Sequence, residues 1–186
     1  MSNNFRILTL PGLHGSGASH WQTIWEQHYG FKRVNQDNWN EPQFDTWFSR
    51  LIDSIETNVT STKVLLIAHS LGCHLAIKSL PFLKKQIGGL FLVAPPDLNK
   101  KIIQQDLSSF VTEPITNAGV PGYLIYSEND PYADPFWSNN LGLQLGIESI
   151  SAGMLGHINS ESNLGLWPKG KQIFDNLIAR LGQLLA

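Results

Sequence analysis

The chain has 186 residues, 42% hydrophobic and 15% charged, and a chain of this length buries about 70% of its unfolded surface without disulfide or metal staples. Thirteen Lys plus Arg against fifteen Asp plus Glu leave a net charge of -2, with no basic run to neutralise a row of phosphates, which argues against a nucleic-acid partner. The single cysteine, Cys73, rules out an intramolecular disulfide and a multi-cysteine zinc site and suits a reducing compartment. No apolar stretch approaches the roughly 18 residues of a membrane span, and the start MSNNFRILTLPG lacks a basic leader, so no membrane partner and a cytoplasmic location are expected.

Along the chain, FRILTL (5–10) predicts a first strand, followed by the glycine-rich stretch Leu10-Pro11-Gly12-Leu13-His14-Gly15-Ser16-Gly17 and a helical segment carrying Trp21 and Trp25. FKRVNQ (31–36) is a weaker strand. Phe44, Trp47, Phe48, Leu51, Ile52 and Ile55 recur at intervals of three and four, the mark of a core-facing helix. KVLLIA (63–68) predicts a strand, and the helix after Ser70, with Leu71, Leu75 and Leu80 among its apolar positions, should falter near Pro81. GGLFLV (88–93), GYLIYS (122–127) and GIESIS (146–151) complete the strands, and Ile173 to Leu185 forms a closing helix. Near-continuous apolar strands alternating with helices predict an α/β fold, a three-layer α/β/α sandwich with a mostly or wholly parallel sheet of about six strands. No repeat or linker divides the chain, so one domain over 1–186 is expected, with 95–121 as either a long crossover or a small cap.

Chemistry concentrates at Ala68-His69-Ser70-Leu71-Gly72, where a strand should end and a helix begin. This is the small-x-Ser-x-small pattern of a nucleophile elbow, a turn so tight that only small residues fit two places to either side of the serine. Ser70 alone is equally an ordinary helix N-cap. A serine nucleophile needs a base and a group to orient that base. His157 follows the GIESIS strand, Asp130 follows the GYLIYS strand, and parallel strands present these ends on the same edge as Ser70. Glu128, Asp134 and Asp97 compete for the acid, with Asp97 the runner-up; His14, His20, His28, His69 and His74 compete for the base, His74 reading as structural or surface and His69 as bordering the site but turned away from the serine hydroxyl. The loop after the first strand lacks the glycine spacing of a dinucleotide fingerprint and the Walker lysine, which disfavours phosphate binding. It can instead bring the Leu13 N–H near the serine, to pair with the Leu71 N–H as an oxyanion hole.

These motifs together resemble the small YdeN-like serine hydrolases of the α/β-hydrolase superfamily, a family that includes the animal retinoblastoma-binding serine hydrolase. The resemblance runs nearly end to end, through PGLHGSGASHWQ, LLIAHSLGCHLAI, YSENDPYAD and GHINSESNLGLWPKG. It implies a compact, nearly lidless α/β-hydrolase fold and a Ser-Asp-His triad falling on Ser70, Asp130 and His157. Two positions depart: Asn163 follows Ser162 where glycine is common, and Leu166 stands where a polar residue is frequent.

The function expected is cleavage of a small or short-acyl ester, thioester or amide through an acyl-enzyme on Ser70, with no cofactor and no metal. His14, His69, Trp39, Trp137 and Trp167 are candidate pocket residues, although large aromatics more often serve the core. The rivals are a catalytically weak hydrolase fold acting as a protein-binding module, although the pocket-protein motif Leu-x-Cys-x-Glu is missing, and a flavodoxin-like small-molecule binder. Cys73, three residues past Ser70, reads as a buried small hydrophobe.

Overall fold

The computed structural model describes residues 5–57, 62–103, 105–111 and 117–184. Six strands, β1 (Phe5–Leu10), β2 (Lys32–Arg33), β3 (Lys63–His69), β4 (Ile87–Val93), β5 (Gly122–Tyr126) and β6 (Glu148–Ser151), form one sheet in the order β2-β1-β3-β4-β5-β6. Every pairing is parallel. Among the described residues four helices lie in the connections, α1 (Trp21–Tyr29), α2 (Phe44–Glu56), α3 (Leu71–Leu83) and α4 (Pro135–Leu145), and a fifth, α5 (Pro168–Leu184), follows β6.

The period of two along a strand explains the three layers. Val64, Leu66 and Ala68 of β3 and Leu90 and Leu92 of β4 join one core with α2 and α3. The intervening Leu65, Ile67, Phe91 and Val93 join the opposite core, filled by Trp21 and Trp25 of α1 and Phe174, Leu177 and Leu181 of α5. Both faces of the central strands are therefore apolar, which is why those strands read as unbroken hydrophobic runs.

The edge strands and three helices depart from the sequence reading. The 31–36 run contributes only a two-residue edge strand. Strand β6 begins two residues later than its apolar run, because Gly146, at φ 67°, terminates α4 in the left-handed conformation. Helix α4 was hidden by Asn139, Asn140 and Gly142, yet Asp134 caps it and Pro135 opens it. Gly142 serves contact: a Cβ there would stand 2.0 Å from Ser149 Oγ on β6. Helix α3 continues through Pro81 to Leu83, with Leu80 and Leu83 buried against the sheet; tertiary packing offsets the missing N–H. Helix α5 starts five residues before Ile173, at Pro168.

Of the segment 95–121, residues 104 and 112–116 lie outside the described residues. The remainder forms turns and a short 3-10 turn over Ser108–Phe110. Leu107 and Phe110 are buried in the core on the α2 and α3 face. Among the described residues no helix is long and apolar enough to cross a membrane.

Candidate active site

The turn from β3 into α3 fixes everything else. Ser70 has φ 53° and ψ -126°, a backbone conformation that a non-glycine residue holds at a cost of about 1 to 3 kcal/mol. The turn is tight because its neighbours touch: a Cβ on Gly72 would stand 2.1 Å from the Leu10 carbonyl oxygen. A Cβ on Gly12 would stand 2.7 Å from Ser70 Cβ and 3.0 Å from Leu71 N. The loop after β1 thus lies directly against the serine turn and the first residue of α3. Among the described residues no hydrogen bond is made by the Leu13 or Leu71 N–H, whereas His14 N–H donates to the Trp39 carbonyl at 3.0 Å and Gly15 N–H to the Gly12 carbonyl at 3.0 Å.

The structure brings Ser70, His157 and Asp130 together from the ends of β3, β6 and β5. Ser70 Oγ and His157 Nε2 are 2.8 Å apart, and His157 Nδ1 lies 2.8 and 3.0 Å from the two oxygens of Asp130. A carboxylate accepts only, so Nδ1 carries the imidazole proton and Nε2 is left free to accept from the serine hydroxyl. The Asp130 side chain is 2% exposed, so this bond operates away from bulk water.

Loops hold that alignment. Ser127 Oγ accepts from Leu155 N–H at 2.8 Å and donates to Asn129 Oδ1 at 2.9 Å. Asn129 Oδ1 in turn accepts from Gly156 N–H at 2.7 Å, so the acid-bearing loop grips the histidine-bearing one. Ile158 stands at φ 49°, an outlier for a β-branched side chain. It is held there by full burial and by Trp21 Nε1, which donates to its carbonyl at 2.9 Å. His69 Nε2 donates to the His157 carbonyl at 3.0 Å. On the other side, Gln22 of α1 ties the first loop down, donating to the Leu10 and Ile67 carbonyls at 3.4 and 3.1 Å and accepting from Ser16 Oγ at 2.7 Å.

The competing residues have other employment. Asp97 Oδ1 accepts from the backbone and side chain of Asn99, Glu128 accepts from Ser151 Oγ, and Asp134 caps α4. His74 is buried and bonds the Pro96 carbonyl at 2.7 Å, while His20 caps α1 by accepting from Gln22 N–H at 3.1 Å. Burial holds His69 and His74 below the usual imidazole range, and burial with the nearby Arg33 lowers His20 to about 4. Cys73 is fully buried and its thiol pKa is pushed up by that burial.

An open cleft of about 490 Å³ surrounds Ser70 and His157. Its lining includes His14 and His69, together with Leu13 and Leu71. The three tryptophans proposed for the pocket lie elsewhere. Trp39 packs behind the first loop, its ring 3.3 Å from where a Cβ on Gly15 would stand and edge-on to Trp47. Trp167 is buried among Trp21 and Trp25, and Trp137 lines a separate 210 Å³ cavity with His74 and Asp97. Trp167 is drawn into the core by the area its ring buries, while Trp39 and Trp137 stay half-buried. The sequence reading missed Ser127, Asn129, Trp21 and Gln22; Ser127 and Asn129, within three residues of Asp130, were within reach of it, because loops that carry a functional acid need their own polar anchors.

An all-parallel sheet with a strained serine turn and a histidine and carboxylate at neighbouring strand ends defines the α/β-hydrolase class. Residues 7–176 match the sequence profile of the serine hydrolases, and the chain belongs to that family. Among solved structures it is similar to one described as a YdeN-like hydrolase from Pectobacterium atrosepticum, 25% identical over 97% of this chain and 94% of the other, with a TM-score of 0.84. The ydeN gene product of B. subtilis is 18% identical over 94% and 99%, with a TM-score of 0.78. Est1E from Butyrivibrio proteoclasticus, solved with ferulic acid, shares the fold at 11% identity over 93% and 89%, with a TM-score of 0.68. No curated protein matches the chain by sequence.

Proposed function

We propose that the protein hydrolyses a small carboxylic ester through a Ser70 acyl-enzyme. The observation that carries this is the continuous series from Asp130 through His157 to Ser70, with 2.8 Å at each joint. His157 Nε2 takes the Ser70 proton as the oxygen attacks the substrate carbonyl, and Asp130 stabilises the imidazolium and fixes its tautomer. The same Nε2 then returns the proton to the departing alcohol; water, activated by His157, frees the acid. The Leu13 and Leu71 N–H groups, without partners among the described residues, are the donors for the carbonyl oxygen as it becomes negative. Losing one such donor raises a barrier by about 3 to 4 kcal/mol. No step calls for a metal or an organic cofactor.

A cytoplasmic enzyme acting on a small-molecule ester, without a nucleic-acid or membrane partner, fits the cleft size and the sequence charge. The test is labelling by a serine-directed fluorophosphonate. Wild type should be labelled on Ser70 and Ser70→Ala should not; equal labelling of both removes Ser70 from the role.

A further inference from the structure

The cleft has two unlike walls. Pro96, Ile102, Ile103 and Leu107 line it on one side, and Ile103 and Leu107 belong to or pack on the core of the α2 and α3 face. Asn159, Ser160 and Glu161 line it on the other, following Ile158, which is buried in the core of the α1 and α5 face. Ser70 and His157 share this lining. Among the described residues the lining contains no lysine or arginine, and Glu161 is its one carboxylate. Asn159 Oδ1 accepts from the Glu161 N–H at 3.0 Å and Asn163 donates to the Glu161 carbonyl, which fixes the backbone while the carboxylate makes no hydrogen bond or ion pair among the described residues. Behind His157 lies a second carboxylate, Asp130, so among the described residues the local field favours positive charge.

Chemistry then assigns the walls. His157 Nε2 must sit within about 3 Å of the leaving oxygen to protonate it, so the leaving group lies on the side of the histidine-bearing loop, and Asn159 to Glu161 are the residues immediately beyond it. The acyl chain is left the apolar wall. We infer that Glu161 forms a leaving-group subsite that selects esters of cationic alcohols, such as those bearing a quaternary or protonated amine, over neutral or anionic ones. The inference rests on the esterase reading above and deepens it.

The experiment uses three butyrate esters of phenols, bearing at the meta position a trimethylammonio group, the uncharged tert-butyl group of the same shape, or a carboxylate. The readout is the ratio of kcat/KM between esters within one protein, compared across wild type, Glu161→Gln and Glu161→Lys, so that differences in phenol reactivity and in overall activity cancel. An exposed ion pair predicts that the cation-to-neutral ratio falls about two- to fivefold in Glu161→Gln and further in Glu161→Lys, with the carboxylate ester gaining in the latter, and that the wild-type advantage shrinks in high salt. Ratios unchanged by both substitutions overturn the subsite and leave serine hydrolysis standing. Fluorophosphonate labelling of Ser70 without cleavage of any of the three esters also overturns the subsite. A wild-type protein that neither cleaves an ester nor takes the label overturns the esterase reading itself.

Discussion

Gly12 shows how closely the site depends on single atoms. It is absent from the cleft lining and carries no functional group, yet a methyl group on it would occupy the space of Ser70 Cβ and crowd the His69 carbonyl and Leu71 N at 3.0 Å. These are backbone atoms and a side-chain root, none able to swing aside, so the loop itself must move. Overpacking of this kind costs about 1 to 3 kcal/mol. The movement would carry the Leu13 N–H away from Ser70, and a displacement near 1 Å in such a site can lower a rate about a hundredfold. Gly12→Ala should therefore lose roughly two orders of magnitude in kcat on an activated ester while its thermal midpoint falls by only a few degrees. Wild-type kcat in a folded Gly12→Ala protein would show that this loop supplies nothing to the reaction.

Among the elements, the loops after β5 and β6 act as one unit. Asn129 Oδ1 receives both Ser127 Oγ–H and Gly156 N–H, so the position of His157 depends on a residue that hydrogen-bonds neither Ser70 nor the His157 ring. Asn129→Ala should lower kcat about tenfold with KM little changed, and Asn129→Asp, which keeps the acceptor, should restore most of it; equal kinetics in both variants would show the bond to be idle. The sequence revealed the strands and the site more readily than these supports, for physical reasons. Strands β3 and β4 are buried on both faces, which writes them as apolar runs, and the serine turn demands small residues at Ala68 and Gly72. Helix α4 carries no such signature, because most of its buried positions are small, Ser138 and Gly142 beside Leu145. Asn163 was legible as a departure but not as a solution: at φ 49° it fills a left-handed position that asparagine tolerates almost as glycine does. The tryptophans misled because a sequence shows an aromatic ring's size but not which side of a loop it packs against.

Across the whole molecule, three buried imidazoles, His20 and His69 at the cleft and His74 on α3, should govern how the fold responds to acid. His20 is 3% exposed, His69 5% and His74 9%, and each has a pKa lowered first of all by burial. His20 is further constrained by its cap: Nδ1 accepts from Gln22 N–H at 3.1 Å, a bond that protonation of Nδ1 would abolish at the positive end of α1. Above pH 6.5 these groups are neutral both folded and unfolded and contribute no pH dependence. Below it the unfolded chain takes up protons that the folded chain refuses, so stability falls as pH drops from 6.5; for His20 the loss levels off near its folded pKa of about 4. At about 1.4 kcal/mol per pKa unit, His20 alone accounts for on the order of 3 kcal/mol across that window. Urea unfolding at a series of pH values from 7 to 4 should show this fall, and His20→Asn, which keeps a cap acceptor without a titrating ring, should flatten the slope whatever it does to stability at pH 7. A slope unchanged by His20→Asn would mean that the acid sensitivity of the fold originates away from the α1 cap.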